Sequence, residues 1–320
     1  MSVIAQLSTF ADLPSFVRKG DLVLFDIDET LVRPEPDATE PWFVAFCSAL
    51  QDAGAPHKAA VFSAGVEIWQ GLQGVCDCAP PEGETTTAAL AAVAAITGVT
   101  CVGLTARGPE CHEETVAQLI RCGAYHGVFD AESSLGTLAP ATAADAAAYV
   151  APLTHLGGII YCSGSRKPQG FFAFEACGGG VAVSSGVPDA AAAAAASASS
   201  AASQALPPRR VVLIDDRESH VKALHAACAE RGRPFLGLHY ASESEVVTSA
   251  VTLARGWSLL ARVLARESGR ARIRRMCDII EAEDGSKRWH TSALMCGAIG
   301  VGVGVTVSAL AVLAARGRRT

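Results

Sequence analysis

Short apolar runs that each close on polar residues recur along this chain. Leu22–Phe25 gives way to Asp26-Ile27-Asp28-Glu29-Thr30. Val99–Leu104 closes on Thr105-Ala106-Arg107, Gly158–Cys162 on Ser163-Gly164-Ser165-Arg166-Lys167, and Val211–Ile214 on Asp215-Asp216; Pro234–Leu238 is a fifth run. Runs without polar alternation are what strands buried on both faces require. Helical patterns intervene at Phe43–Leu50, Thr87–Ile96 and Glu113–Arg121, with Gly123 as the stop signal of the last. Strands alternating with helices predict an α/β fold with a doubly wound parallel sheet. Residues 1–21 predict a helix or loop packing on that core.

The spacing of these runs is uneven. About seventy residues separate Thr30 from the second run, with Pro34, Pro36, Pro41 and the Trp42-Phe43 pair among them. This predicts a helical cap insertion over about 38–97, beside an active site. Residues 176–208 turn Gly-rich and then Ala/Ser-rich, with Ala190–Ala196 pure alanine. With no apolar stripe to bury, that tract reads as a low-complexity excursion within a core of residues 1–245.

Thr291–Ala315 carries no charge, and Arg316, Arg318 and Arg319 follow it. Its length and composition predict a transmembrane helix. Gly300 and Gly304, continued by Ser308, have the small-residue spacing that supports a homodimer through the span. A C-terminal span with a short tail predicts a tail-anchored protein whose catalytic part faces the cytosol, at the mitochondrial outer membrane, endoplasmic reticulum or peroxisome. The segment 246–290 before it is basic and helical in pattern. Leu259, Leu260, Val263, Leu264 and Ile273 lie among its arginines, either as a membrane-surface helix or as a solvated helix packed on the core.

Composition adds two constraints. Half of the 320 residues are hydrophobic and 18% charged, and the mean hydropathy of +0.29 is high for a soluble domain, as a membrane segment demands. A net charge of −6 leaves no basic character suited to a nucleic-acid partner. The eleven cysteines form no paired framework. Cys76 and Cys78 are the only close pair in sequence, no second pair completes a metal site, and the thiols read as reduced.

The chemistry sits at the strand ends. Asp26 and Asp28 point to one side if the chain stays extended, and crowded carboxylates need a cation or a shared proton. The carboxyl ends of strands are also where open α/β sheets bind ligands. A capping role is available to Asp28 and Thr105, and a solvated-loop role to Lys167. Asp26 and Asp215 have no such alternative, because apolar strands would otherwise present them unpaired.

The ordered set Asp26-x-Asp28-x-Thr30, Thr105, Lys167 and Asp215-Asp216 resembles the haloacid-dehalogenase-like (HAD) phosphohydrolase superfamily over about residues 20–240. The resemblance implies a Rossmann-like core and an Mg²⁺-dependent phosphatase. In it Asp26 is the nucleophile and Asp28 the general acid/base, while Thr105 and Lys167 hold the phosphoryl oxygens. Asp26, the backbone carbonyl of Asp28, Asp215 and Asp216 hold the metal, and Thr30 orients the loop after the first strand. Arg107 either binds substrate phosphate or pairs with an acidic residue.

Gly103-Leu104-Thr105-Ala106-Arg107, Trp42-Phe43, Gly158-Ile159-Ile160-Tyr161 and Leu213-Ile214-Asp215-Asp216-Arg217 resemble more closely a HAD-type family known only as a domain of unknown function, DUF2608. That likeness implies a helical cap but no substrate. Phe25–Val32 also resembles the first motif of phosphatases acting on polymerase tails, whose last motif differs from Asp215-Asp216-Arg217. The long insertion favours a small phosphorylated substrate over a phosphoprotein. A membrane-bound scaffold that keeps the fold without turnover is the non-enzymatic alternative.

Overall fold

The computed structural model describes residues 2–34, 47, 66–67, 69–142, 151–179, 209–241 and 275. The Ala/Ser tract, much of the segment expected as a cap, the basic segment and Thr291–Ala315 lie largely or wholly outside them. Among the described residues, no helix is long and apolar enough to cross a membrane. By internal contacts the chain divides into two units: residues 1–31, 80–109 and 123–242 form one, and residues 32–79, 110–122 and 243–320 the other.

The first unit is built on an eight-stranded sheet in the order β1-β10-β9-β2-β5-β8-β7-β6. Its strands are β1 (Ser2–Leu7), β2 (Leu22–Phe25), β5 (Thr100–Thr105), β6 (Gly136–Thr137), β7 (Thr154–Leu156), β8 (Ile159–Tyr161), β9 (Val211–Asp215) and β10 (Phe235–Tyr240). All pairs from β1 to β8 are parallel, and β8–β7 and β7–β6 are antiparallel. This large, mostly parallel sheet gives a Rossmann-like α/β architecture. Every residue of β2 and β9 is buried, which is why their sequences read as unbroken apolar runs.

Among the described residues, the α-helices of this unit are α1 (Leu13–Phe16), α2 (Glu84–Ala94), α4 (Lys167–Ala176) and α5 (Glu218–Glu230). Phe171, Phe172 and Phe174 of α4 join Leu104, Ile160 and Leu213 of the sheet and Val221 and Leu224 of α5 in one buried cluster. Residues 80–97, expected within the insertion, group with the sheet.

The N-terminal segment departs from expectation. Ser2–Leu7 is an edge strand parallel to β10 rather than a lead-in helix or loop. Glu82 anchors the chain just after it: its carboxylate accepts hydrogen bonds from the Thr9 hydroxyl (2.6 Å), the Phe10 N–H (3.0 Å) and the Tyr240 hydroxyl (3.0 Å). The Phe10 ring meets Tyr240 edge-on, centroids 4.8 Å apart.

In the second unit, β3 (Arg33–Pro34) pairs antiparallel with β4 (Cys78–Ala79). Helix α3 (His112–Arg121) ends at Cys122, with Gly123 at φ 63° beyond it. The terminator expected at Gly123 is therefore the left-handed residue that ends this helix.

Candidate active site at the carboxyl ends of the sheet

β2 lies between β5 and β9, with later strands of the chain on both of its sides, and the carboxyl end at such a switch of order is the crevice where open α/β sheets bind ligands. The register pairs Phe25 with Ile214, and the Asp26 N–H donates to the Ile214 carbonyl at 2.9 Å. That register sets Asp26 beside Asp215. Both are buried, Asp215 completely. Oδ1 of Asp26 accepts the Ile27 N–H at 2.8 Å, and Oδ1 of Asp215 accepts the Arg217 N–H at 2.9 Å.

Lys167 joins the two carboxylates. Its Nζ lies 2.6 Å from Asp26 Oδ1 and 2.6 Å from Asp215 Oδ2. Lys167 is the first residue of α4, capped by Arg166, whose N–H donates to the Gln169 side chain at 3.1 Å. Pro168 falls in the first turn, where a missing N–H costs nothing. Gly170 lets α4 pass close to the end of β8, since a Cβ there would lie 2.5 Å from Cys162 Sγ. The Pro-Gln-Gly sequence after Lys167 thus seats this lysine under the sheet edge.

The other expected residues fall around this core. Arg107, fully buried, forks onto Asp28: Nη2 to Oδ1 at 2.7 Å and Nε to Oδ2 at 3.1 Å. Of the two expected partners for Arg107, the structure supplies the acidic one. Thr105 ends β5, and its Oγ1 accepts the Arg107 N–H at 3.1 Å; the hydroxyl shapes the turn that carries the guanidinium. Thr30 Oγ1 accepts the Asp216 N–H at 3.0 Å, tying the loop after β2 to the end of β9. Glu29 (φ 60°) and Ser163 (φ 47°) adopt left-handed backbone in the loops after β2 and β8, the kind of local strain that clusters at functional sites.

Electrostatics show the crowding. Burial, reinforced by Asp215, raises the Asp26 carboxyl to about 6 against the pull of Lys167. Burial with the charges of Asp26 and Asp215 raises Asp216 to about 8, and its carboxyl hydrogen-bonds Asp26. Burial also presses Asp215 upward, yet Lys167 and His220 prevail and hold it at about 2. For Lys167, burial opposes the charge, and the two carboxylates overcome it and raise its pKa. Four carboxyl groups (Asp26, Asp28, Asp215, Asp216) thus meet two permanent cations, Lys167 and Arg107. A bound cation would relieve that surplus of negative charge.

His220 was not foreseen. It lies in the first turn of α5, and its Nδ1 is 3.2 Å from Asp215 Oδ1. Asp26, Asp215 and His220 each offer a ligand atom, and these atoms lie within 4.8 Å of one another, so the group could hold a metal ion. The available signal was its spacing: five residues after Asp215, on the helix leaving that strand end, a side chain can turn back to the strand.

Over residues 202–270 the chain matches the model of a family described as a protein of unknown function (DUF2608). The stretch includes β9 with Asp215 and Asp216, α5 with His220, and β10. No curated protein and no solved structure matches the chain.

Proposed function

We propose that this chain is a Mg²⁺-dependent phosphohydrolase of the haloacid-dehalogenase-like type, cleaving a phosphomonoester through an aspartyl-phosphate on Asp26. The observation that carries this reading is Lys167 Nζ at 2.6 Å from both Asp26 and Asp215. Three separate strand ends converge on one buried ion cluster. A structural ion pair needs one carboxylate, and here one lysine serves two, with a third acid, Asp216, crowded beside them and raised by burial.

The donor set suits a hard divalent cation. Asp26, Asp215 and Asp216, with the backbone carbonyl of Asp28, offer the oxygen ligands Mg²⁺ prefers, and the surplus negative charge favours it. When bound, Mg²⁺ supplies the positive charge that lets a carboxylate approach a phosphate dianion. The residues do the rest. Ile27 N–H and Lys167 both hold Oδ1 of Asp26, which leaves Oδ2 to attack phosphorus as the bond to the leaving oxygen breaks. Asp28 gives that oxygen its proton and later takes one from the water that hydrolyses the acyl phosphate. Arg107 fixes the orientation of Asp28 through its two-point grip. Lys167 and Thr105 stabilise charge on the phosphoryl oxygens.

The long segment between Thr30 and β4 favours a small phosphorylated substrate, since a site open to a protein loop requires no such insertion. Thr291–Ala315 tethers the protein to a membrane, with the sheet on the cytosolic side. The test is phosphate release by the full chain in detergent with Mg²⁺, over a panel of phosphomonoesters and phosphopeptides, beside Asp26→Asn. Turnover of small esters that is lost in the variant supports the reading. Turnover of peptides alone replaces the substrate class, and no turnover above the variant on any substrate removes the enzyme reading and leaves a scaffold.

A further inference from the structure

The second unit holds a dithiol. Cys78, on β4, is half-buried and Cys122, at the end of α3, is buried. Their sulfurs lie 3.7 Å apart, with the Cys122 thiol donating to Cys78 Sγ. We propose that Cys78 and Cys122 are a modification site: a pair that a hydroperoxide converts to a disulfide and a small thiol reverses. The inference stands apart from the phosphohydrolase reading, shares no residue with it, and can fail without touching it.

Four features single out this pair. The separation is near van der Waals contact, so only a short approach is needed to reach the S–S bond length of about 2.05 Å. Arg121 Nη2 lies 3.8 Å from Cys78 Sγ and supplies a countercharge for the thiolate through which oxidation proceeds. Cys76, the neighbour that sequence alone pairs with Cys78, is engaged otherwise. Its sulfur accepts from Gln118 Nε2 at 3.4 Å, and Gln118 is itself buried and bonded to Gln73 Oε1 at 3.1 Å. The exposure is also graded: the oxidant reaches Cys78 first, and Cys122 waits behind it.

The chemistry balances with one hydroperoxide. The Cys78 thiolate attacks the terminal peroxide oxygen, the O–O bond breaks, and Cys78 becomes a sulfenic acid while the alcohol (water, for hydrogen peroxide) leaves. Cys122 sulfur then attacks Cys78 sulfur, the S–S bond forms, the S–O bond breaks, and hydroxide leaves as water with the Cys122 proton. Two thiols and one peroxide give one disulfide, one water and one alcohol. Thiol exchange reverses it. The product links residues 44 apart, tying segment 32–79 to segment 110–122 inside the second unit.

The test uses the reduced full chain, titrated with hydrogen peroxide, blocked with N-ethylmaleimide and mapped by non-reducing peptide mass spectrometry. The expected product is a Cys78–Cys122 linked peptide, removed by dithiothreitol and absent from Cys78→Ser and Cys122→Ser. Thermal melting of the oxidised wild type should rise above the reduced form, since the bond removes freedom from the unfolded chain. Three results would overturn the proposal: both thiols still alkylated after stoichiometric peroxide, a Cys76–Cys78 link instead, or Cys78 passing to sulfinic acid without a link. The wild-type map alone decides among these, whether or not the variants fold.

Discussion

Arg107 grips Asp28 at two points, Nη2 to Oδ1 at 2.7 Å and Nε to Oδ2 at 3.1 Å. The guanidinium is wholly buried while the carboxylate keeps 26% side-chain exposure, so the arginine is the fixed partner and the aspartate the one presented to the site. Arg107→Lys keeps the charge but cannot reproduce the planar fork. Misplaced catalytic groups cost on the order of 10²-fold, and a loss of about that size in kcat/KM is expected, with a near-normal fold by circular dichroism. An unchanged kcat/KM would mean that Asp28 needs no such holder.

Lys167→Met removes the cation shared by Asp26 and Asp215 and leaves two buried carboxylates facing each other. Breaking a buried pair in this way costs about 3–5 kcal/mol, measurable by urea denaturation without metal. Mg²⁺ should then restore more stability to the variant than it adds to the wild type. Equal increments would show that lysine and metal do not serve the same surplus charge.

Mg²⁺ should stabilise the wild type alone by a ligand-linkage increment, about 2.7 kcal/mol at a hundred times its dissociation constant. Asp215→Asn should abolish the increment, as read by thermal melting with and without EDTA. Retention of the increment in that variant would place the metal elsewhere.

Gly170→Ala puts a Cβ 2.5 Å from Cys162 Sγ. Overpacking of this kind costs about 1–3 kcal/mol, and because α4 carries Lys167, activity should fall along with stability. A variant as stable and active as the wild type would mean that α4 need not pass so close to β8.

His155 sets a pH dependence away from the active site. It is buried on β7, its Nδ1 accepts the Leu135 N–H at 3.3 Å, its ring lies 4.7 Å from that of Phe174, and its Nε2 has no hydrogen-bond partner among the described residues. Burial lowers its pKa to about 4, against the charge of Asp130. The unfolded chain therefore binds the proton more readily, and the contribution is full above about 6.5 and lost as pH falls toward the folded value. Denaturation midpoints should drop between neutral pH and the low end of that window, by less in His155→Leu. Equal drops would assign the loss to other groups.

How legible this was in the sequence depended on burial. Asp26, Asp215 and their strands stood out because β2 and β9 are buried throughout, which forces unbroken apolar runs ending at the carboxylates. Ser2–Leu7 escaped because an edge strand needs no such run: only Leu7 of its six residues is fully buried. β6 and β7, of two and three residues, are too short to show a period. Among the site residues, the family resemblance pointed to Lys167 but not to its bridging of two carboxylates, which depends on the Phe25–Ile214 register and the seating of α4. Arg107 was left between two partners, since sequence does not say which acid its buried fork meets. His220 offered only its spacing, five residues after Asp215 in the first turn of α5, where it is one polar residue among several.

The central claim is that Asp26 takes the phosphoryl group. Full chain with Mg²⁺ and a turned-over phosphomonoester would be quenched in acid during the first turnover, reduced with borohydride, and mapped by mass spectrometry. An acyl phosphate on Asp26 is reduced to homoserine, so homoserine at position 26, and none without substrate, is the predicted result. Steady phosphate release with an unmodified Asp26, or undiminished turnover in Asp26→Asn, would contradict it.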